Sequence, residues 1–380
     1  MNKNEILKIT GTEYKSMTKK LLTEANLASH IPDRKTHIGI KPNLVSPTPA
    51  SFGATTHPEI VAGIIEYLQE NGFSSMTMLE GSWVGDRTGV AYEICGYQAL
   101  SEQYGVPFFD TQKDSFVRRD CAGMPLDICS CVDDIGFLIN VPVLKGHCQT
   151  KMTCALKNMK GLIPNDEKRR FHSLGLHKPI AHLNTVIHQD FIVIDHICGD
   201  PDCEDGGNPL VTNCIMAARD PVLVDAYACQ VLQYATSDVP YVGMAEALGC
   251  GSTDLTNATI RSADETGIFA EKTTPAQTDA VSKGLPLTRQ YINLYEMIDE
   301  VESCSACYAN LIPALKRLED ENLLHRLPEK ICIGQGFRDK TGKLGCGDCT
   351  ASFDQYIPGC PPEEDDIYDF LHHYLITLTH

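Results

Sequence analysis

The C-terminal part of the chain holds Cys304-Ser-Ala-Cys307, Cys332, Cys346-Gly-Asp-Cys349 and Cys360-Pro-Pro, six of the seventeen cysteines of the protein. In a C-x-x-C the two sulfurs converge on one metal atom or on adjacent irons, and small residues between them let backbone amides point at sulfur. Two such pairs fit either a structural zinc site of four cysteines or an iron–sulfur cluster. The stretch YIPGCPPEEDD (356–366) bears on that choice. Its two consecutive prolines fix φ and remove two amide donors, so the peptide joins neither a helix interior nor a central strand and forms a rigid loop that presents one sulfur. A cysteine followed by proline recurs among iron–sulfur ligands, and a zinc site made of the two pairs leaves Cys360 unexplained. The expectation is a 4Fe-4S cluster, with zinc as the rival.

A second group of residues is basic. Between Lys145 and Lys178 stand eight Lys or Arg against Asp166 and Glu167, a balance of +6 in a protein of net charge −18. In LKGHCQTKMTCALKNMKGLIP the lysines alternate with Gly, Thr and Asn, which permit close backbone approach to a phosphate or carboxylate. If ALKNMKGL forms a short helix, Lys157 and Lys160 share a face and one anion touches both, with Asn158 beside them. Lys145 and His147 follow an apolar strand, where imidazole suits proton transfer. Asn43 and Ser82, after two other strands, are expected to contribute to the same cleft, and Lys157 is expected to be exposed in it. His172, His177 and His182 are further candidates, more simply read as structural. Asp220, before Pro221, reads as a helix N-cap rather than a catalytic group.

The elements that must position these residues alternate. Residues 36–43, 74–82, 106–110, 135–147 and 191–199 read as strands; 57–72, 88–104 and 220–235 read as helices. Such an order predicts an α/β fold, a mostly parallel sheet with helices on both faces, whose ligands sit beyond the carboxyl ends of the strands. The polar strand ends are Lys41-Pro42-Asn43, Glu80-Gly81-Ser82, Lys145-Gly146-His147 and Asp195-His196. Neither G-x-G-x-x-G opening a helix nor a P-loop occurs, which excludes those two cofactor modes. Residues 262–290 are polar and aperiodic, as expected of a connector, and place a boundary near 285: an α/β domain over 1–284 and a small cysteine-rich iron–sulfur region over 285–380.

Composition narrows the class. The acidic balance argues against a nucleic-acid or anionic-membrane binder. No apolar run approaches the roughly 18 residues of a membrane span, and the start resembles no signal peptide, so a cytoplasmic protein is expected. An odd number of cysteines in a long chain fits reduced thiols or metal ligation better than disulfides, and agrees with the low-oxygen cytoplasm of an anaerobe.

The chain resembles the domain of unknown function 362 family in IKPNLV (40–45), LEGSWVGDRTG (79–89), VPVLKGH (141–147), TCALKNMKGLIP (153–164), DPVLVDA (220–226) and the CSAC, CGDC and PGCPP segments. Members of that family often carry an iron–sulfur region. The resemblance implies Cys304, Cys307, Cys349 and Cys360 as the four ligands; the extra Cys346, where similar proteins usually read Ile-Gly-Asn-Cys, leaves Cys346 as the rival third ligand. Cys332, in KICIGQGF, is expected to pack as a small core hydrophobe. At the level of general layout the chain is also similar to the lactate racemase catalytic family, whose cleft holds a nickel-containing nucleotide. The leading functional expectation is an iron–sulfur oxidoreductase acting on an anionic small molecule or cofactor, with a possible redox partner protein. A non-redox lyase or isomerase and a non-enzymatic electron carrier or assembly factor are the alternatives.

Overall fold

Short apolar runs rich in Ile, Val and Met, each too short for a helix of useful length, build the centre of the protein. The computed structural model describes residues 1–272 and 292–377. They fall into two compact units, one of Met1–Lys168 with His177–Leu287, the other of Arg169–Leu176 with Thr288–His380. The boundary expected near 285 lies outside the described residues.

The first unit contains strands β1 (Glu5–Thr10), β2 (Ile38–Pro42), β3 (Met76–Glu80), β4 (Phe108–Asp110), β5 (Phe116–Cys121), β6 (Met124–Cys129), β7 (Phe137–Val141), β8 (Lys145–His147), β9 (Lys151–Thr153), β10 (Phe191–His196), β11 (Cys214–Ala218), β12 (Thr259–Ala263) and β13 (Ala270–Lys272). Nine of these make one sheet, in the order β13-β12-β1-β11-β10-β7-β2-β3-β4. All run the same way except β11 and β13. Helices such as Tyr14–Glu24 and Pro58–Glu70 cover the sheet, and the core joins Leu21 and Leu22 of the first and Ile60, Ile64 and Ile65 of the second to Ile38, Ile40 and Ile139 of the strands. Burying side chains of this size contributes about 1.5–3 kcal/mol each.

The expected α/β architecture is present, with local differences. The helix read over 88–104 breaks into Thr88–Ile94 and Tyr97–Tyr104 at Gly96, whose φ of +82° favours glycine. The single strand read over 135–147 is two: β7 belongs to the sheet, whereas β8 leaves it beyond Pro142 and pairs with β9 in a hairpin. The segment read as connector from 262 holds the end of β12 and all of β13. Missing from the sequence reading were β1 and β11; β1 lies mid-sheet between β11 and β12, both far along the chain, while β11 also pairs with the nearby β10.

In the second unit β14 (Ile298–Glu300), β15 (Ile331–Ile333), β16 (Leu344–Cys346) and β17 (Gln355–Ile357) form a four-stranded, all-parallel sheet. Helix Ser305–Asp320 follows β14 and helix Glu364–Thr377 follows β17. Leu311, Leu315 and Leu318 of one and Ile367, Leu371 and Leu375 of the other close a core over Ile331, Ile333, Leu344 and Ile357.

Candidate functional site: a thiol cradle and a buried lysine group

Three-residue strands leave little room before a chain reversal, so in the second unit every strand opens directly into a loop. Cys304 follows β14 and is the N-cap of helix Ser305–Asp320, with Cys307 in that helix's first turn. Cys349 follows β16 and Cys360 follows β17. All four thiols thus stand past the carboxyl ends of parallel strands, where such sheets bind ligands. Backbone and side-chain hydrogen bonds tie the loops together. Gly347 N–H donates to the Ile357 carbonyl at 2.8 Å, Asp348 N–H to the Gly359 carbonyl at 2.9 Å, and Gly359 N–H to Asp348 Oδ1 at 2.8 Å. Asn310 Nδ2 joins the helix to the Pro362 carbonyl at 2.8 Å, and a Cβ on Gly347 would lie 3.8 Å from Cys307 Sγ.

Burial pushes the Cys304 thiol up, with Cys349 and Cys360 adding to the shift; burial likewise raises Cys307, to about 12, with Cys304, Cys360 and Cys349 adding. Cys307 lies within electrostatic reach of the other three thiols, and Cys304 of Cys349 and Cys360, an arrangement that a cation among them relieves. Gln335 Nε2 donates to Cys304 Sγ at 3.4 Å, and the Arg338 guanidinium lies within electrostatic reach of Cys349, Cys304 and Cys360. The sequence reading missed both, because they follow β15 and come near the thiols only through the sheet. Cys346 ends β16 inside the hydrophobic core, 1 % exposed. Cys332 alternates with the buried Ile331 and Ile333 and is only half-buried, so it is not the core residue expected. None of the seventeen cysteines is in a disulfide.

In the first unit the strand ends hold a lysine group. Lys41 and Glu80, ending β2 and β3, are spent on each other: Lys41 Nζ donates to Glu80 Oε2 at 2.7 Å, and Glu80 also accepts from Leu44 and Gly81 amides. Gly161 packs so closely on this pair that a Cβ would meet Glu80 Oε1 at 1.8 Å. Lys168 Nζ donates to the Gly81 and Ser82 carbonyls, both at 2.9 Å. Ser82 Oγ donates to the Leu44 carbonyl at 2.6 Å, Asn43 Oδ1 accepts from Val45 N–H at 3.2 Å, and Asn158 Nδ2 donates to Asn140 Oδ1 at 2.7 Å. Those three side chains therefore shape the loops.

Lys145 is buried, and its ammonium donates to the Ala54 carbonyl at 2.6 Å and to the Glu204 carbonyl. Burial, with Lys157 adding, brings Lys145 down to about 7. Burial also lowers Lys157 to about 8 against the pull of Glu204, and holds Lys160 well below the usual range, Lys157 and Lys168 adding. Lys157 is half-buried rather than the exposed cleft residue expected, since its helix, Ala155–Asn158, packs on helix Pro221–Val231. Asp225 of that second helix caps it, accepting from the Ala155 and Leu156 amides at 2.8 and 3.1 Å. Asp220 caps its own helix, as read from the sequence.

His147 Nδ1 accepts from the Gln149 and Thr150 amides at 3.1 and 3.2 Å, which leaves the proton on Nε2, 3.5 Å from Glu204 Oε1. Glu204 also accepts from Cys148 N–H at 2.9 Å and from Cys148 Sγ at 3.0 Å. Burial works against its charge, yet His147 and Lys157 hold its carboxyl at about 2. His147, Cys148 and Glu204 bring one ligand atom each within 4.8 Å of one another. The lysines beside them make the place better suited to an anion than to a second cation. Glu204 was not singled out in the sequence: it lies 56 residues from Cys148, in an acidic loop without periodicity. Among the other histidines, His182 pairs through Nδ1 with the Cys121 carbonyl, His177 stacks on Tyr241, and His172 belongs to the second unit. His196 does not join the strand-end group, since it faces the side of β10 opposite Asp195, and burial, with Lys8 adding, lowers it to about 4.

Residues 38–230, just over half of the chain, match the family described as Domain of unknown function (DUF362). The chain belongs to this family. The match spans β2 through the helix carrying Asp225, so the whole lysine group lies in the DUF362 part and the thiol cradle outside it. A thylakoid-associated protein of Synechocystis sp. is 25% identical over 221 residues, 56% of this chain and 68% of that protein. The lactate racemase apoprotein from Thermoanaerobacterium thermosaccharolyticum superimposes with a TM-score of 0.41 at 13% identity, over 59% of this chain and 56% of that one. The chain thus spans little more than half the length of that structure. No described helix is long and apolar enough to cross a membrane.

Proposed function

We propose that this DUF362 protein is an iron–sulfur oxidoreductase whose second unit holds a 4Fe-4S cluster through Cys304, Cys307, Cys349 and Cys360 and whose first unit binds an anionic small molecule or cofactor at Lys145, Lys157 and Lys160. The observation that carries the reading is the gathering of four thiols on loops past three parallel strands, with Cys307 in electrostatic reach of the other three, Gln335 donating to Cys304 Sγ and the Arg338 cation near Cys349. Such donors favour thiolate, the form a metal takes. When bound, the cluster supplies one-electron transfer. The chain's own residues bind and orient: the lysines neutralise an anion at reduced desolvation cost because Lys145 is buried and Lys157 and Lys160 are half-buried, and His147 carries a proton at Nε2 that Glu204 orients. A redox partner protein is part of this reading, and a reducing compartment such as the cytoplasm suits its free thiols.

Anaerobic purification followed by iron and sulfide analysis tests it, with about four of each per chain and absorbance near roughly 400 nm expected. A colourless protein with stoichiometric zinc overturns it. Lys145, brought to about 7, favours a second reading, a lyase or isomerase in which Lys145 and His147 transfer protons. Cluster spectra that respond to an added anionic metabolite under reducing conditions support the redox reading; turnover with an unchanging cluster spectrum supports the second.

A further inference from the structure

Beside the lysine group, the turn before helix Pro58–Glu70 meets the end of β10. The helix begins with Pro at its first position, so His57 is the N-cap residue and sits in extended conformation outside it. Asp195 lies in β10, one residue before the strand's end, and Cys198 follows on the loop. Asp195 Oδ2 accepts from both His57 N–H, at 2.7 Å, and His57 Nδ1, at 2.8 Å, while its Oδ1 accepts from Ile197 N–H at 3.0 Å. The carboxylate therefore fixes the imidazole in position and tautomer. The remaining ring nitrogen, Nε2, lies 3.8 Å from Cys198 Sγ. Cys198 Sγ also reaches the Ala50 carbonyl at 3.4 Å.

We propose that Cys198, His57 and Asp195 form a nucleophilic thiol site that takes a small activated acyl compound, an ester or thioester carbonyl. The order thiol, imidazole, carboxylate is that of a nucleophile, its base and the group that orients the base. In the step, the Cys198 proton passes to His57 Nε2 and Sγ adds to the carbonyl carbon. The adduct collapses with loss of the alkoxide or thiolate leaving group, which takes the proton from Nε2. A thioester on Cys198 and the free alcohol or thiol result, with no change of oxidation state. Cys198 is the nucleophile, His57 the base and Asp195 a positioning residue.

Two further observations favour chemistry over packing. The loop carrying Cys198 is held by glycines that admit no side chain: a Cβ on Gly53 would meet the Cys198 carbonyl at 2.6 Å, and one on Gly199 the Leu144 carbonyl at 1.9 Å. The thiol thereby sits at the strand-end rim of the sheet, and Lys145 fastens the same 50–57 loop through the Ala54 carbonyl. Burial opposes a proton on His57, yet Asp195, with Cys198, raises it to about 10, so the imidazole holds a proton strongly. The other titratable groups facing the site are Tyr14, whose ring meets His57 edge-on at 5.6 Å, and, further out, Glu59 and Tyr97. Cys198 is 6 % exposed, so only small reagents reach it.

The test uses the full chain, p-nitrophenyl acetate as acyl probe and iodoacetamide as alkylating probe, with peptide mass spectrometry to read Cys198 alone. Acetylation of Cys198 in the folded protein is expected, with loss in His57→Gln and at least a tenfold slowing in Asp195→Asn. Alkylation of wild-type Cys198 should change less than about twofold between pH 8 and 6, whereas free glutathione slows roughly tenfold per unit below its pKa. The pH profile keeps the proposal testable if His57→Gln does not fold. An unlabelled wild-type Cys198, a glutathione-like pH profile, or equal labelling in a folded His57→Gln overturns it.

Discussion

At the residue scale the cluster ligand question comes down to two cysteines three positions apart. Cys346 ends a strand and packs in the core, where burial pushes its thiol far up, whereas Cys349 lies on the loop that meets Cys307 and Cys360 and is near the Arg338 cation. Cys349→Ser should therefore abolish iron binding. Cys346→Ser should keep it while lowering stability, because a hydroxyl buried without a partner costs about 1–3 kcal/mol. Iron content and melting temperature of the two variants decide the matter, and the reverse pattern would move the ligand to Cys346. A C-x-x-C is legible in sequence; which of its sulfurs faces outward depends on where a three-residue strand stops. Lys157 is the corresponding case in the first unit. Its type and spacing could be read, but not its partial burial by helix Pro221–Val231, which makes the ammonium cheaper to lose than an exposed one. Lys157→Ala should leave folding intact and weaken binding of a pyrophosphate probe by about 1–3 kcal/mol in calorimetric titration, the range for a charge-assisted contact.

At the element scale, β2 and β3 end side by side, and the Lys41–Glu80 pair locks their ends under Gly161. Both residues were read as polar strand ends aimed at a ligand. The parallel register that puts Met78 beside Ile40 ends the two strands together, and the Lys41 side chain reaches Glu80, one position past its register partner, so each neutralises the other inside the protein. Breaking a buried pair strands the remaining charge, and Lys41→Ala should cost about 3–5 kcal/mol in denaturant unfolding. A loss below 1 kcal/mol would mean that the Leu44 and Gly81 amides suffice for Glu80. The hairpin of β8 and β9 has a similar lesson. An unbroken apolar run hides the departure of β8 at Pro142, which is what turns Lys145 and His147 toward the Glu204 loop.

At the scale of the whole molecule, the buried lysines set a pH dependence. The folded values of Lys145, Lys157 and Lys168, about 7, 8 and 8, lie below the unfolded value of 10.5. Charging them in the folded state is costly at low pH, and that cost is relieved progressively as pH rises from 7 to 8 toward 10.5, so they add stability upward. His57 acts oppositely: its folded value of about 10 exceeds the unfolded 6.5, so its stabilisation is complete below 6.5 and lost as pH climbs toward 10. Asp225, raised by burial to about 7, acts with His57, and Lys160, held well below 10.5, acts with the other lysines, so the lysines should still raise the melting temperature between pH 6.5 and 8.5. Thermal unfolding across that window checks the sign, and Lys157→Met should flatten the rise.

The sequence by itself determined the α/β class and its mostly parallel sheet, because strand–helix alternation is written in local periodicity and in Gly and Pro punctuation. It also marked the pairs Cys304–Cys307 and Cys346–Cys349, Cys360 in its proline loop, and the cap at Asp220, since short spacings and prolines constrain geometry within a few residues. Only the tertiary structure decided the rest. Glu204 meets His147, Lys41 meets Glu80, and Asp195 and Cys198 meet His57 across separations of 39 to 141 residues. Such pairs are fixed by strand order and register, and no local pattern in the chain encodes those.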